Sequence, residues 1–382
     1  MYTKDELNGI YERFAKAIDI NEELFKKAVN EYRAMSNWID KETPSYSVHI
    51  YPQGSFALGT VVKPLTDEDE YDIDLVCEFA DDYKLSAKQL KVDILKPLLI
   101  KYKKTTTDII EKRRCWCVEY DHFKGFHMDV IPAYKLPRYI NITDKDEEQN
   151  TYEYIGSNPK EYINWFRSRM NVRRQKILSE KCFAHIRSQA EIDDITEFSI
   201  KTPLQKAIQI LKRHRDIMFS NDYSNCTPIS IIITTIIAQV YNNEDNIYDT
   251  LSEFFSKARI FINSNIKEGQ YHIENPSYTG EDKENFADKW NEHPERAEAF
   301  FKWLKKASVD LLEEPFKAND RIKLSENMNV ALGKNTTRRV FSRMAEEEKN
   351  AIVGQTVKIV PTTGAISKEG SVNIPKHNHF GE

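Results

Sequence analysis

Hydrophobic and polar positions follow three different rhythms along this chain, and the changes of rhythm divide it. Over the first forty residues the apolar positions Leu7, Ile10, Phe14 and Ile18 recur every three or four residues, which gathers them on one stripe of a helix. From 46 to 134 the texture shifts to short β-branched and aromatic runs at 47–51, 71–79, 115–120 and 126–134, separated by charged or turn-rich stretches. Residues 85–102 read as a helix between two of these strands. After Gly156 helical spacing returns. Asn158-Pro159, Thr202-Pro203, Thr227-Pro228 and His293-Pro294 each place proline at a first helical position, and three of them put a capping residue before it. Beyond about Asn350 aromatic residues nearly vanish, and Gly354, Gly364, Gly370 and Gly381 punctuate a polar stretch that predicts an extended tail. The predicted fold is α+β and two-lobed with a central cleft. Residues 1–155 form a mixed-sheet core braced from behind by a long N-terminal helix, 156–345 form a helical lobe, and 346–382 form a flexible tail.

Composition narrows the class without choosing a function. The chain has 382 residues, 40% of them hydrophobic and 30% charged, as in an ordinary globular protein. A net charge of −5 argues against a protein that coats polynucleotides and gives no strong polynucleotide-binding signal, yet it allows a basic pocket around a nucleotide. The five cysteines are scattered, and Cys115-x-Cys117 lacks the spacing of a zinc knuckle, so they read as reduced core residues. The first residues are polar, and the most apolar run, 229–240, falls short of the ~20 residues needed to span a bilayer. No membrane partner and a cytoplasmic location are expected.

The chemistry concentrates in two stretches. In a strand, alternate side chains share a face, so Asp72 and Asp74 of Tyr71-Asp72-Ile73-Asp74-Leu75-Val76 point one way while Ile73 and Leu75 pack behind them. Two carboxylates on one face repel unless a cation lies between them, and Mg²⁺ takes oxygen ligands of this kind. Met128-Asp129-Val130-Ile131-Pro132 offers a third acid flanked by apolar residues. Beside the first strand, Asp129 completes a triad able to hold two metals across an in-line phosphoryl displacement. An acid alternation alone is common on surface strands. Here it follows Gln53-Gly54-Ser55, where glycine lets the backbone approach phosphate and serine adds a hydroxyl. His127 shares the face of Asp129 and is expected to line the cleft without a catalytic role.

These motifs resemble the DNA polymerase β-like nucleotidyltransferase superfamily, and more narrowly the bacterial cGAS/DncV-like nucleotidyltransferases (CD-NTases), the second-messenger synthases of CBASS anti-phage defence. The narrower resemblance rests on Gln53-Gly54-Ser55 continued by Gly59-Thr60 and Lys63-Pro64-Leu65, on the two acidic strands, on Ser157-Asn158-Pro159 with Trp165-Phe166, and on Leu211-Lys212-Arg213-His214-Arg215-Asp216. One departure is the sixteen-residue interval between Ser55 and Asp72, longer than usual in the superfamily, whose excess at 64–70 reads as an exposed loop. The resemblance implies that Gln53, Gly54 and Ser55 bind the donor triphosphate, with Lys212 and Ser230 reaching it from the helical lobe. It further implies that Asp72, Asp74 and Asp129 bind two Mg²⁺ ions, Mn²⁺ being the alternative. The implied reaction condenses ribonucleoside triphosphates into a cyclic oligonucleotide, releasing pyrophosphate, and a downstream effector binds the product. Linear oligonucleotide synthesis, RNA 3′-end addition, or a degenerate nucleotide-binding module are the alternative readings. The ending His379-Phe380-Gly381-Glu382 is similar to the tails that a ubiquitin-ligase-like enzyme conjugates in some of these systems, which makes Gly381 or Glu382 the candidate conjugation site.

Overall fold

The structure is a computed structural model that describes residues 1–374 apart from 45, 67–69, 81–84, 105–107, 121–124, 185–200, 223, 278–283, 355, 360, 362–365 and 368–370. The single N-terminal helix expected from the apolar stripe is two helices, α1 (Lys4–Ile18) and α2 (Glu22–Glu42). Thr3 and Glu6 close a capping box at the start of α1, each side chain accepting the other's backbone N–H. The break follows from Asn21, whose side chain accepts the Leu24 N–H at 2.8 Å and starts a second helix. The two helices also pack apart. Ala28, Met35 and Ile39 of α2 lie against the sheet, whereas Leu7, Tyr11 and Phe14 of α1 sit in the helical core with Leu204, Ile208 and Leu311. Of these two helices, α2 is the one that braces the sheet.

Seven strands form one sheet: β1 (Ser47–Pro52), β2 (Tyr71–Ala80), β3 (Ile109–Glu111), β4 (Trp116–Val118), β5 (Phe126–Lys135), β6 (Ile140–Asp146) and β7 (Thr151–Ser157). The order is β1-β2-β5-β4-β3, with β6 on the far half of β5 and β7 beyond it. Only β2 and β5 run parallel. Three strands escaped the sequence reading. β3 is short, and β6 and β7 are too polar to show a clean alternation. Their pairing is stabilised from outside: Glu111 accepts from Lys145 Nζ at 2.8 Å and from Tyr152 Oη at 2.9 Å.

A short helix, α3 (Gly54–Leu58), follows β1. The helix expected at 85–102 begins as a wide turn over Gln89–Leu95 and continues as α4 (Lys96–Lys103). In the wide turn the Lys96 N–H bonds five residues back to Lys91 O, next to Pro97, which has no N–H to donate. The remaining helices are α5 (Pro159–Ala184), α6 (Pro203–Met218), α7 (Ser230–Val240), α8 (Ile247–Ser264), α9 (Asp288–Glu292), α10 (Pro294–Ser308), α11 (Glu314–Lys317), α12 (Arg321–Leu332) and α13 (Lys334–Val353). Thr202 caps α6 as its sequence predicts, in a capping box with Gln205. Thr227-Pro228 does not start α7. That helix opens at Ser230 after an extended Ile229 with no side-chain cap. Past α13 the expected extended tail contains a small antiparallel pairing of Lys358–Ile359 with Ile366–Ser367.

Candidate active site

The site is built on the parallel pair β2–β5. Alternation sends Ile73, Leu75, Met128 and Val130 into the core beneath α2. The opposite face carries Asp72 and Asp74 on β2 and His127 and Asp129 on β5, with Asp72 level with His127 and Asp74 level with Asp129. Oxygen atoms of Asp72, Asp74 and Asp129 all lie within 4.8 Å of one another, close enough for divalent cations to share them. Asp72 is the open member, 56% exposed at its side chain, while Asp129 is only 10% exposed.

Three like charges at that spacing demand cations. Lys112, on the β3–β4 turn, donates to both oxygens of Asp129 at 2.9 and 2.8 Å. His127 Nε2 lies 3.3 Å from Asp72 Oδ1. Burial, then the charges of Asp72 and Asp129, raise the Asp74 carboxyl far above the ordinary range, and Lys212 and Lys112 only partly offset them. The hydrogen bond to Asp72 holds His127 above its usual pKa.

The turn before β2 is pinned over these acids. Gln53 N–H donates to Asp74 O at 2.9 Å, so the chain enters α3 directly beside Asp74. Gly54 then takes φ +58°, and a Cβ there would collide with the Asp74 carboxylate. Only glycine satisfies both conditions. Ser55 follows, its carbonyl accepting the Thr60 N–H at 2.9 Å, and Gly59 ends the helix at φ 66°.

Helix α6 packs against the end of this turn. Lys212, 5% exposed, donates to Thr60 O at 3.1 Å and Thr60 Oγ1 at 3.4 Å. Burial, then the neighbouring Arg215, push its pKa down to about 7. Ser230 at the start of α7 accepts from Arg215 Nη1 at 2.7 Å. Gly381 and Glu382 lie outside the described residues. A cavity of about 990 Å³ between the α1–α2 break and α13 is lined by Phe56 and Lys63 and by none of the three acids.

Residues 6–170 match the family model described as the Second Messenger Oligonucleotide or Dinucleotide Synthetase domain. A c-di-GMP synthase of Roseivirga ehrenbergii is 29% identical over 311 residues, covering 79% of this chain and 77% of that protein. The cyclic dinucleotide synthase CdnG of Bradyrhizobium diazoefficiens is 23% identical over 305 residues, covering 75% and 71%. The solved structure of that CD-NTase, CdnG in complex with GTP, shares the fold at TM-score 0.69 and 22% identity, covering 88% of this chain and 98% of that one. Residues 6–170 thus carry the sequence of that synthetase domain, and the likeness to CD-NTases extends over three quarters of the chain. The chain is a nucleotidyltransferase.

Helix α6 carries a device that the sequence pattern did not reveal. Gln205, Gln209, Lys212 and Arg213 of α6 all donate to backbone carbonyls of the loop after Ser55, at Leu58 (2.9 Å), Val61 (2.6 Å), Thr60 (3.1 Å) and Lys63 respectively. Their spacing was a usable signal, a polar stripe at i, i+4, i+7 and i+8 beside the apolar one. Clamped in this way, the stretch expected to be exposed is half-buried at Pro64 and Leu65. Lys112 and its salt bridge gave no comparable signal, because the β3–β4 hairpin that delivers it is itself too short to recognise. Among the described residues no helix of the chain is long and apolar enough to cross a membrane.

Proposed function

We propose that this chain is a CD-NTase that condenses ribonucleoside triphosphates into a cyclic oligonucleotide second messenger with release of pyrophosphate, in anti-phage defence. The observation that carries this reading is the convergence of three carboxylates, within 4.8 Å, beneath the Gly54–Ser55 turn. The similar c-di-GMP synthase and cyclic dinucleotide synthase support the product class. Asp72, Asp74 and Asp129 would hold two Mg²⁺ ions, Mn²⁺ substituting, and the all-oxygen donor set fits such hard cations. The metals supply charge stabilisation and an acidified attacking hydroxyl. The chain's own groups do the positioning. Gly54 brings backbone N–H groups against the donor triphosphate, with Gln53 holding the turn in place, and Ser55 adds a hydroxyl donor. Lys212 approaches from α6, with Ser230 behind it on α7. Asp129, on the inner strand, accepts the proton of the attacking hydroxyl.

The domain division we propose gives the acids to residues 1–155 and closure over the nucleotides to 156–345, with 346–382 as a tail whose first residues complete α13 as far as Val353. We further propose that the tail is a substrate for a ubiquitin-ligase-like conjugating enzyme, through Gly381 after loss of Glu382 or through Glu382 itself, and that the nucleotide product acts by binding a downstream effector.

Incubation with pairs of labelled triphosphates and Mg²⁺, followed by phosphatase, tests the main reading. A phosphatase-resistant product is expected. A sensitive product would mean linear synthesis, and no product would mean a binding module. Co-expression with the neighbouring ligase genes and mass spectrometry tests the tail: a conjugate at Gly381 or Glu382 is expected, and its absence rejects that part alone.

A further inference from the structure

A second set of metal-binding groups overlaps the carboxylates. Cys117 on β4 stands level with Asp129 on β5, because the two strands pair antiparallel with these residues in register. His127, two residues before Asp129, projects from the same face of β5. Ligand atoms of Cys117, His127 and Asp129 all lie within 4.8 Å of one another. The two acceptor sets share Asp129 and differ in chemistry. Asp72, Asp74 and Asp129 offer only carboxylate oxygen, whereas the second set offers sulfur, nitrogen and one oxygen. Mg²⁺ binds thiolate and imidazole poorly, while Zn²⁺ favours both and forms tetrahedral sites with such ligands.

We propose that Cys117, His127 and Asp129 form an inhibitory site for a thiophilic divalent cation, Zn²⁺ above all, that withdraws Asp129 from the catalytic acids. The inhibitory part rests on the reading of Asp129 as catalytic, whereas binding does not. Three protein ligands leave the fourth position to water. Binding releases the Cys117 thiol proton to solvent, and the thiolate, imidazole and carboxylate each donate a lone pair without any redox change. Lys112 leaves Asp129 as the metal arrives. Its side chain is 43% exposed and has room to swing into solvent. Glu70 Oε2 lies 3.7 Å from His127 Nδ1, the type of outer partner that orients a ligating imidazole. The sheet holds the backbones of Cys117 and Asp129 in place, so only side-chain rotation is needed to tighten the cluster.

Co²⁺ serves as the spectroscopic probe, read on the full chain without nucleotide. The wild-type protein is expected to show a thiolate-to-cobalt charge-transfer band, lost in Cys117→Ala and in the near-isosteric Cys117→Ser and retained in Cys115→Ala. Lys112→Met, by freeing Asp129, is expected to tighten Co²⁺ binding. In the Mg²⁺-supported synthesis assay, Cys117→Ala is expected to keep basal activity and to need at least ~10-fold more Zn²⁺ for half-inhibition. Absence of the thiolate band, or equal Zn²⁺ sensitivity in wild type and Cys117→Ala, overturns the proposal. A thiolate band in a protein that makes no product would leave the metal site standing and reject the synthase reading instead.

Discussion

At the scale of single residues the site is a cluster of charges that the fold alone does not neutralise. Asp72→Asn and Asp129→Asn each remove one charged ligand at constant volume. Product formation is expected to vanish while the circular dichroism melt stays close to wild type, and near-normal turnover in either variant would reject the triad. Asp74 has a second signature. Its ordinary pKa of 3.8 is pushed up to about 8 by burial and its acidic neighbours. A carboxyl raised in this way contributes stability that is fully present below the unfolded pKa and is lost as pH rises through the folded one. In EDTA, Asp74→Asn is therefore expected to melt above wild type, with a gap that widens from pH 5 to pH 9 and reaches the order of a few kcal/mol. A gap independent of pH would contradict the charge cluster. Gly54→Ala combines a left-handed backbone with a collision against Asp74, so its synthesis rate is expected to fall at least ~100-fold. Full activity in that variant would mean the turn adopts another shape.

At the scale of elements the phosphate-binding turn owes its shape to α6. Four side chains of that helix satisfy carbonyls of the loop after Ser55, and none of the four is more than 5% exposed. The bonds from Lys212 and Arg213 are charge-assisted and contribute about 1.5–3 kcal/mol each, and the neutral ones from Gln205 and Gln209 about 0.5–1.5 kcal/mol each. Gln209→Leu is expected to loosen the loop, raising KM for triphosphate several-fold with a smaller change in kcat. Lys212→Ala removes both a clamp and a cation, so titration calorimetry with a non-hydrolysable triphosphate should show weaker binding by about 1.5–3 kcal/mol, and Ser55→Ala a smaller loss. Unchanged affinity in Lys212→Ala would leave the lysine with its Thr60 bonds as its whole role.

At the scale of the molecule α1 ties the amino terminus to the helical core. Leu7, Ile10, Tyr11, Phe14 and Ile18 are all buried there, and Tyr11 Oη donates to Leu311 O. Burying each such side chain contributes roughly 1.5–3 kcal/mol, so their sum rivals the ~5–15 kcal/mol that keeps a domain folded. Deleting residues 1–18 is expected to yield insoluble protein or to abolish the cooperative melt, although no catalytic group is removed. A soluble, fully active truncation would show that α1 is dispensable. Among the described residues, the loop between β1 and β2 and its clamp link the sheet to α6.

Much of this was written locally. The 3.6-residue stripe of α1, the capping box at Thr202 and the alternation of Asp72 with Asp74 depend on backbone geometry within a few residues, and each is legible without knowing the neighbours. The acids of β2 and the Gly54–Ser55 turn could be recognised for the same reason. The break at Asn21 is equally local, a capping residue followed by Glu22 and Glu23 in the first turn of a new helix. Other features were decided only in three dimensions. Backbone hydrogen bonds between strands do not depend on side-chain identity, so nothing in either segment announces that Asp74 lies level with Asp129, or that Cys117 stands across from the same acid. The polar strands β6 and β7 are held by their ladder and by Glu111 of β3, which accepts from Lys145 and Tyr152. Glutamines and basic residues on α6 look like a solvated stripe until the loop carbonyls they satisfy, some 150 residues earlier, are folded against them.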